Sequence, residues 1–394
     1  MMTMNRLAVK LRQWLKPERK PLRGYYETTK AWAEQQSCNG NGLRSYVEIH
    51  APQPFHRTPP KTVEPVMNAR FANMQLPRQQ TEPTFVAQIP HGRVCGNLGD
   101  VITPDGKFLW DVTTWTPDVP RGPQAHWLLK QAELPPATHL TGRVANLSGD
   151  WPENYHHWLV EILPRLELLR LAGIDLRSID TFLFNPLTLP YQPPALASFG
   201  IPPEKIVFAT PATHYRCDLL IAPSFARGAG CGIGWIYQFL RHQFLEPLGA
   251  VGEANLRLYV SRSAASIRNV QNERDIMELL RRYGFQPVCL ESLDFFEQVR
   301  LFARAEAVVG PHGAGLTNLA FAPPRTKVIE FTMPDRVHYW GLSQECGLDY
   351  YYINGFPELP PDFTDGQWDF NADMQINLDT LQQTLKFAGI APRE

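Results

Sequence analysis

The stretch Val308-Val309-Gly310-Pro311-His312-Gly313-Ala314-Gly315-Leu316 decides how this chain is read. Residues 307–310 form an apolar run of the length expected for a strand buried on both faces. Small residues follow through Gly315, and a short helix is expected to open at Leu316. Glycines in such a turn let backbone N–H groups come close to an anion, and the first amides of a helix have no partners within it. Alone, a glycine-rich turn between strand and helix is a weak sign of phosphate binding.

The residues on either side strengthen it. Upstream, 256–260 reads as a strand. A helix over 273–283 follows, with Ile276, Leu279, Leu280 and Tyr283 on one side and Gly284 as its cap. The run 285–290 returns as a strand, and Asp294 with Glu297 starts a helix reaching about Arg304. Downstream, 327–331 is a further strand. Strand and helix alternate throughout, which predicts a doubly wound, nucleotide-binding α/β half.

Ligands of such sheets sit beyond the carboxyl ends of the strands. Two loops there have suitable content. One is Ser261-Arg262-Ser263 after the 256–260 strand, with Arg268 close behind, offering hydroxyl and guanidinium donors to an anion. The other is the turn with His312, Gly313, Ala314 and Gly315. Two anion-ready loops on one sheet edge are a better signal than either alone. Glu330 ends the next strand and reads either as an acceptor for a ribose diol or as a carboxylate in a surface ion pair. His312 reads as a phosphate donor or as a histidine that caps its own loop.

The second cluster is Asp150-Trp151-Pro152-Glu153-Asn154-Tyr155-His156-His157-Trp158, followed by Glu161. On a helix starting near Asn154, His157 and Glu161 are four apart and share a face, so the carboxylate can orient the imidazole as a general base. The competing reading is a capping asparagine followed by buried aromatic and histidine side chains. Helical spacing continues through Leu159, Ile162, Leu163, Leu166 and Leu169, and Pro164 is expected to kink or divide the helix.

The rest of the chain supplies organisation more than chemistry. Its 394 residues, 44% hydrophobic, predict two domains. Seven basic residues stand against Glu18 before Gly24, which suggests a solvated arm over 1–50, with 6–15 as an alternative basic helix on an anionic membrane. Residues 51–145 are proline-rich and carry short β-type pieces. A strand at 181–185, a helix ending at Gly200, and strands at 205–209 and 219–222 then imply a parallel sheet. The glycines at 228, 230, 232 and 234 read as a flexible connection leading to a helix over 235–245. The domain reading is therefore an arm at 1–50, a first domain at 51–230, a second, nucleotide-binding domain at 235–355 and a tail with a helix at 356–394.

Several function classes lose support. Net charge is −1, from 38 basic and 39 acidic residues, so there is no global basic field for nucleic acid. No apolar run approaches the roughly 20 residues that span a bilayer, and no signal-peptide core precedes Pro17. A cytoplasmic protein is expected, with peripheral contact at the inner membrane face as one role for the arm. The six cysteines lack zinc or disulfide spacing and read as reduced thiols. No two aspartates are separated by a single residue, so an Asp-x-Asp metal clamp for a diphosphate is missing. Neither a nucleophile elbow nor a P-loop occurs.

At these residues the chain resembles glycosyltransferase family 61, whose members include bacterial capsular-polysaccharide and plant and animal transferases. The match rests on Asn154-Tyr155-His156-His157-Trp158 with Glu161, Pro164 and Arg165, and on Tyr259-Val260-Ser261-Arg262 with Arg268, Asn272 and Glu273. It continues with Glu297-Gln298, Leu301-Phe302, residues 308–319 and Val328-Ile329-Glu330. The resemblance implies a GT-B-like arrangement: two Rossmann-like domains with parallel sheets facing a cleft, here with a β-rich N-terminal extension. It also implies inverting, metal-independent transfer from a nucleotide sugar to a glycan or polysaccharide hydroxyl, with no cofactor. His157 and Glu161 would be catalytic. Ser261, Arg262, Arg268, His312, Gly313, Ala314, Gly315, Asn318 and Glu330 would bind the donor, and Asn154, His156 and Trp158 would face the acceptor. The sugar class, hexosyl, pentosyl or N-acetylhexosaminyl, stays open. Two alternatives remain: a non-catalytic sugar-nucleotide or glycan-binding protein, and an NAD-dependent oxidoreductase.

Overall fold

The computed structural model describes residues 22–37, 45–54, 57–65, 71, 80–113, 122–226, 233–333, 338–356, 369 and 371–393. The basic helix considered for 6–15 and the glycines at 228, 230 and 232 lie outside the described residues.

Among the described residues there are two sheets. The second holds β11 (Leu256–Val260), β12 (Gln286–Val288), β13 (Ala305–Pro311), β14 (Lys327–Thr332) and β15 (Asp349–Asn354). All its pairings are parallel, in the order β12-β11-β13-β14-β15. The helix Glu273–Arg281 buries Ile276, Met277, Leu279 and Leu280. Gly284, at φ +74°, makes the left-handed turn into β12. Asp294 and Glu297 form a reciprocal capping box at the start of the helix Phe295–Ala303. Within 356–394, the helix Leu378–Phe387 is more than a tail: it buries Leu381 and Leu385 in the same core as Ile276, Val309 and Ile329.

The first sheet departs from expectation. It contains β1 (Tyr25–Tyr26), β2 (Tyr46–His50), β3 (Thr84–Pro90), β4 (Arg93–Cys95), β5 (Asp100–Ile102), β6 (Phe108–Leu109), β7 (Thr138–Asn146), β8 (Thr181–Phe184), β9 (Ile206–Phe208) and β10 (His214–Pro223). The run β10-β7-β8-β9 is parallel, as the alternating pattern implied. However, β3 and β4 pair antiparallel with the opposite edge of β10. The β-rich pieces between 51 and 145 therefore extend this same sheet, making it mixed. Nor are residues 22–37 and 45–50 simply a solvated arm: β1 pairs with β6, β2 pairs with β3, and Trp32 on the helix Thr29–Ser37 is buried.

One apolar core reaches both sheets. Tyr155, Trp158 and Phe184 from the first half belong to the same cluster as Phe295, Leu316 and Trp340 from the second. A second tie is residues 57–65, which run beside β15: the Lys61 amide donates to Tyr350 O at 3.3 Å, and the Tyr352 amide donates to Lys61 O at 3.0 Å. Trp340 Nε1 also donates to Thr58 O at 3.0 Å. No helix among the described residues is long and apolar enough to cross a membrane.

Candidate active site

The order of the second sheet reverses direction between β11 and β13, the position where open α/β sheets leave a crevice. The two anion-ready loops leave the carboxyl ends of these two strands. Gly310 lets the strands close up, since a Cβ there would lie 3.0 Å from Cβ of Val260. Gly313 has an extended backbone (φ −178°), so its glycine serves space and not conformation. A Cβ at Gly313 would overlap Nη1 of Arg262 and lie 3.2 Å from the guanidinium carbon. At Gly315 it would meet Leu290 Cδ1 at 2.6 Å.

Arg262 is aimed by its own loop. Nε donates to Arg268 O at 3.2 Å and Nη2 to Ile267 O at 3.0 Å, which leaves the Nη1 edge over Gly313. Burial draws its pKa below the ordinary arginine value. Arg268 has a left-handed backbone (φ +58°), with its amide donating to Asn371 O at 3.1 Å. Arg268 Nη1 lies 3.9 Å from Sδ of Met333, the residue just beyond β14. Ser261 Oγ donates to Glu273 at 2.8 Å, so this hydroxyl serves the loop.

Glu330 corrects its own prediction. Its carboxylate is 1% exposed, with Oε1 2.6 Å from His312 Nδ1 and Oε2 accepting from Tyr350 at 2.7 Å. Burial pushes its pKa up to about 8, against the lowering pull of the Tyr350 hydrogen bond. The carboxyl group of Glu330 thus orients His312 from behind. Asn318, expected at the donor, is fully buried, accepting from Tyr155 Oη at 2.7 Å and donating to Gln298 Oε1 at 2.9 Å and Gly315 O at 3.1 Å.

On the other half, the helix breaks as Pro164 requires. Residues Tyr155–His157 are α-helical, Trp158–Ile162 form a π-turn, and Pro164–Leu171 resumes the α-helix. Leu163 N bonds five residues back to Trp158 O at 3.0 Å, an accommodation next to a residue that has no N–H. His157 Nδ1 lies 3.0 Å from Glu161 Oε1, and both side chains are about one-third exposed. Asn154 caps the helix, accepting from the amides of His156 at 2.9 Å and His157 at 3.4 Å. Trp158 is 1% exposed and packs on Phe184, out of reach of an acceptor.

His156 joins the halves, its Nδ1 2.9 Å from Thr317 Oγ1. Burial, reinforced by His338 and His157, lowers its pKa well below 6.5 and keeps it neutral. From His157 the rings step to His156 (5.6 Å between centroids), His338 (5.4 Å) and His312 (6.0 Å). The expected base and the expected diphosphate loop therefore meet in one cluster. Sequence reading missed Thr317, His338 and Tyr350. Thr317 lay within the quoted motif, but nothing in its spacing marked it as a contact for His156. Among the described residues, no three His, Cys, Asp or Glu side chains are grouped to hold a metal ion.

These features define an α/β protein with an anion-ready switch point facing a carboxylate-oriented histidine. Residues 155–329 match the family model described as Glycosyltransferase 61. The chain is similar to a β-1,2-xylosyltransferase of Oryza sativa subsp. japonica, 32% identical over 95 residues, covering 22% of this chain and 18% of the relative. It is also similar to EGF domain-specific O-linked N-acetylglucosamine transferases. The Gallus gallus protein is 27% identical over 133 residues, covering 31% of this chain and 25% of that one. The Drosophila melanogaster protein is 29% identical over 117 residues, covering 29% and 22%. The chain thus spans between about a fifth and a quarter of the length of these curated relatives.

Proposed function

We propose that this chain is a glycosyltransferase that moves a sugar from a nucleotide-sugar donor to a hydroxyl of a glycan or polysaccharide acceptor. Transfer is direct, inverting and metal-independent, on a GT-B-like arrangement in which the half containing β11 to β15 holds the nucleotide. The observation that carries the reading is Arg262 lying against Gly313 at the switch point, which puts a guanidinium edge beside a glycine-rich helix start.

His157 takes the proton of the acceptor hydroxyl, and Glu161 stabilises the imidazolium that forms. The acceptor oxygen bonds to the anomeric carbon as the bond to the diphosphate breaks. Charge growing on the leaving phosphate is met by Arg262, Arg268, His312 and the amides of Gly313, Ala314 and Gly315. In this scheme Ser261, Asn318 and Glu330 position other groups, and Asn154 and His156 position the base and the interface between the halves.

The test is turnover of UDP-, GDP-, CMP- and dTDP-sugars by the full chain, with release of free nucleotide as readout. The reading expects one nucleotide class to be turned over by the wild type and not by His157→Ala. Equal turnover by both removes His157 as the base.

A further inference from the structure

With Trp158 buried, the aromatic side chain open to solvent beside His157 is Trp151, at 54% exposure. Its ring lies 6.4 Å from the His157 ring, with planes 25° apart. Its backbone is left-handed at φ +49°, a conformation that costs a non-glycine residue about 1 kcal/mol or more. The surrounding loop holds it there. Trp151 N donates to Asp150 Oδ1 at 3.0 Å, and Asn154 N donates to Trp151 O at 2.9 Å. Gln192 Nε2 fixes Pro152 O at 2.8 Å, and Tyr191 Oη fixes Glu153 O at 3.1 Å. A strained backbone, tied on both sides, presents a large aromatic ring to water next to the proposed base.

We propose that Trp151 is the platform on which a sugar ring of the acceptor stacks, with its hydroxyls towards Asp150 and Glu161 and the reacting hydroxyl towards His157. This deepens the transferase reading and rests on it. A sugar ring has one face of C–H groups, which suits the negative face of an indole, and a rim of hydroxyls that needs acceptors. Asp150 and Glu161 both act electrostatically in this neighbourhood, with Glu153 nearby. Three carboxylates disfavour a diphosphate here and favour a neutral sugar, while the guanidiniums lie on the other half. The assignment replaces Trp158 in the acceptor role expected for it.

The experiment compares wild type, Trp151→Ala and Trp151→Phe in two measurements on the full chain. The first follows a turned-over nucleotide sugar with methyl glycosides of glucose, galactose, mannose, xylose and N-acetylglucosamine as acceptors, recording transfer and hydrolysis separately. Trp151→Ala is expected to raise acceptor KM on the order of tenfold, the affinity of the covered ring face. It should also shift partition from transfer towards hydrolysis, and Trp151→Phe should restore most of both. An unchanged partition, with hydrolysis falling in step with transfer, would make Trp151 a support for His157 and overturn the platform.

The second measurement is saturation-transfer NMR with the same glycosides and no nucleotide. Wild type and Trp151→Phe should show transfer to sugar C–H protons that Trp151→Ala loses. No transfer from the wild type to any glycoside overturns the platform. Saturation transfer without turnover of any nucleotide sugar would instead overturn the transferase reading and leave the sugar site standing.

Discussion

The guanidinium of Arg262 occupies the space that a side chain on Gly313 would fill. The two residues leave different strands, β11 and β13, and meet at the crevice where the sheet order reverses. Because Gly313 is extended, alanine there introduces no backbone strain and acts only by pushing Arg262 aside. Gly313→Ala should raise the KM for the nucleotide sugar about 10- to 100-fold, the worth of a charge-assisted hydrogen bond, with the melting temperature nearly unchanged. An unaltered KM would show that Arg262 does not touch the donor.

The 3.0 Å approach of Glu161 to His157 predicts a graded series. His157→Ala should lower turnover about 10²- to 10⁴-fold, the range for a general base, while nucleotide affinity by calorimetry stays within error. Glu161→Gln should fall between that variant and the wild type, because it keeps a ring acceptor but loses the charge that stabilises imidazolium. Loss of nucleotide affinity in His157→Ala would place the histidine at the donor instead.

Glu330 sets a pH dependence of stability. Its carboxyl is raised to about 8 in the fold from an ordinary 4.5, so between these values the native state holds more protons than the unfolded one. Stability contributed by the protonated group is complete below about pH 4.5 and is lost as pH rises through 8. Urea melts from pH 4.5 to 8 should show a downward trend in the wild type that Glu330→Gln flattens. Parallel curves for the two proteins would contradict the assignment.

The second sheet was legible because its signals are local. Apolar runs fall at strand length, Asp294 and Glu297 cap a helix three residues apart, and Gly284 and Gly313 sit where a turn and a close approach need them. In the first sheet, β4 to β6 are two or three residues long, and β10 finds β3 more than a hundred residues away, so neither periodicity nor turn chemistry reveals the pairing. In the site, the spacing of His157 and Glu161 was readable because one helix holds both. The burial of Glu330, Asn318 and Trp158 was not, because it depends on Tyr350, Tyr155 and Phe184 arriving from distant segments.

Arg165 is 1% exposed and donates to three backbone carbonyls: Ser148 O at 2.8 Å, Asn146 O at 2.7 Å and Pro223 O at 3.2 Å. It ties the carboxyl ends of β7 and β10 together. Arg165→Ala leaves those acceptors unpaired and should destabilise the chain by about 3 kcal/mol or more, read from urea melts. Arg165→Lys should recover only part, because an ammonium lacks the planar fork that spans three carbonyls. A loss under about 1 kcal/mol would mean that water replaces the guanidinium.

The central claim is that the turn at His312 and the arginines after Val260 form one pocket for a diphosphate. Calorimetric titration of UDP, GDP, CDP and dTDP into the wild type, Arg262→Ala and the exposed-arginine control Arg177→Ala tests it most directly. The account predicts that at least one nucleotide binds the wild type and the control equally and binds Arg262→Ala at least about tenfold more weakly. Equal affinity for all three proteins, or no binding of any nucleotide to the wild type, would contradict it.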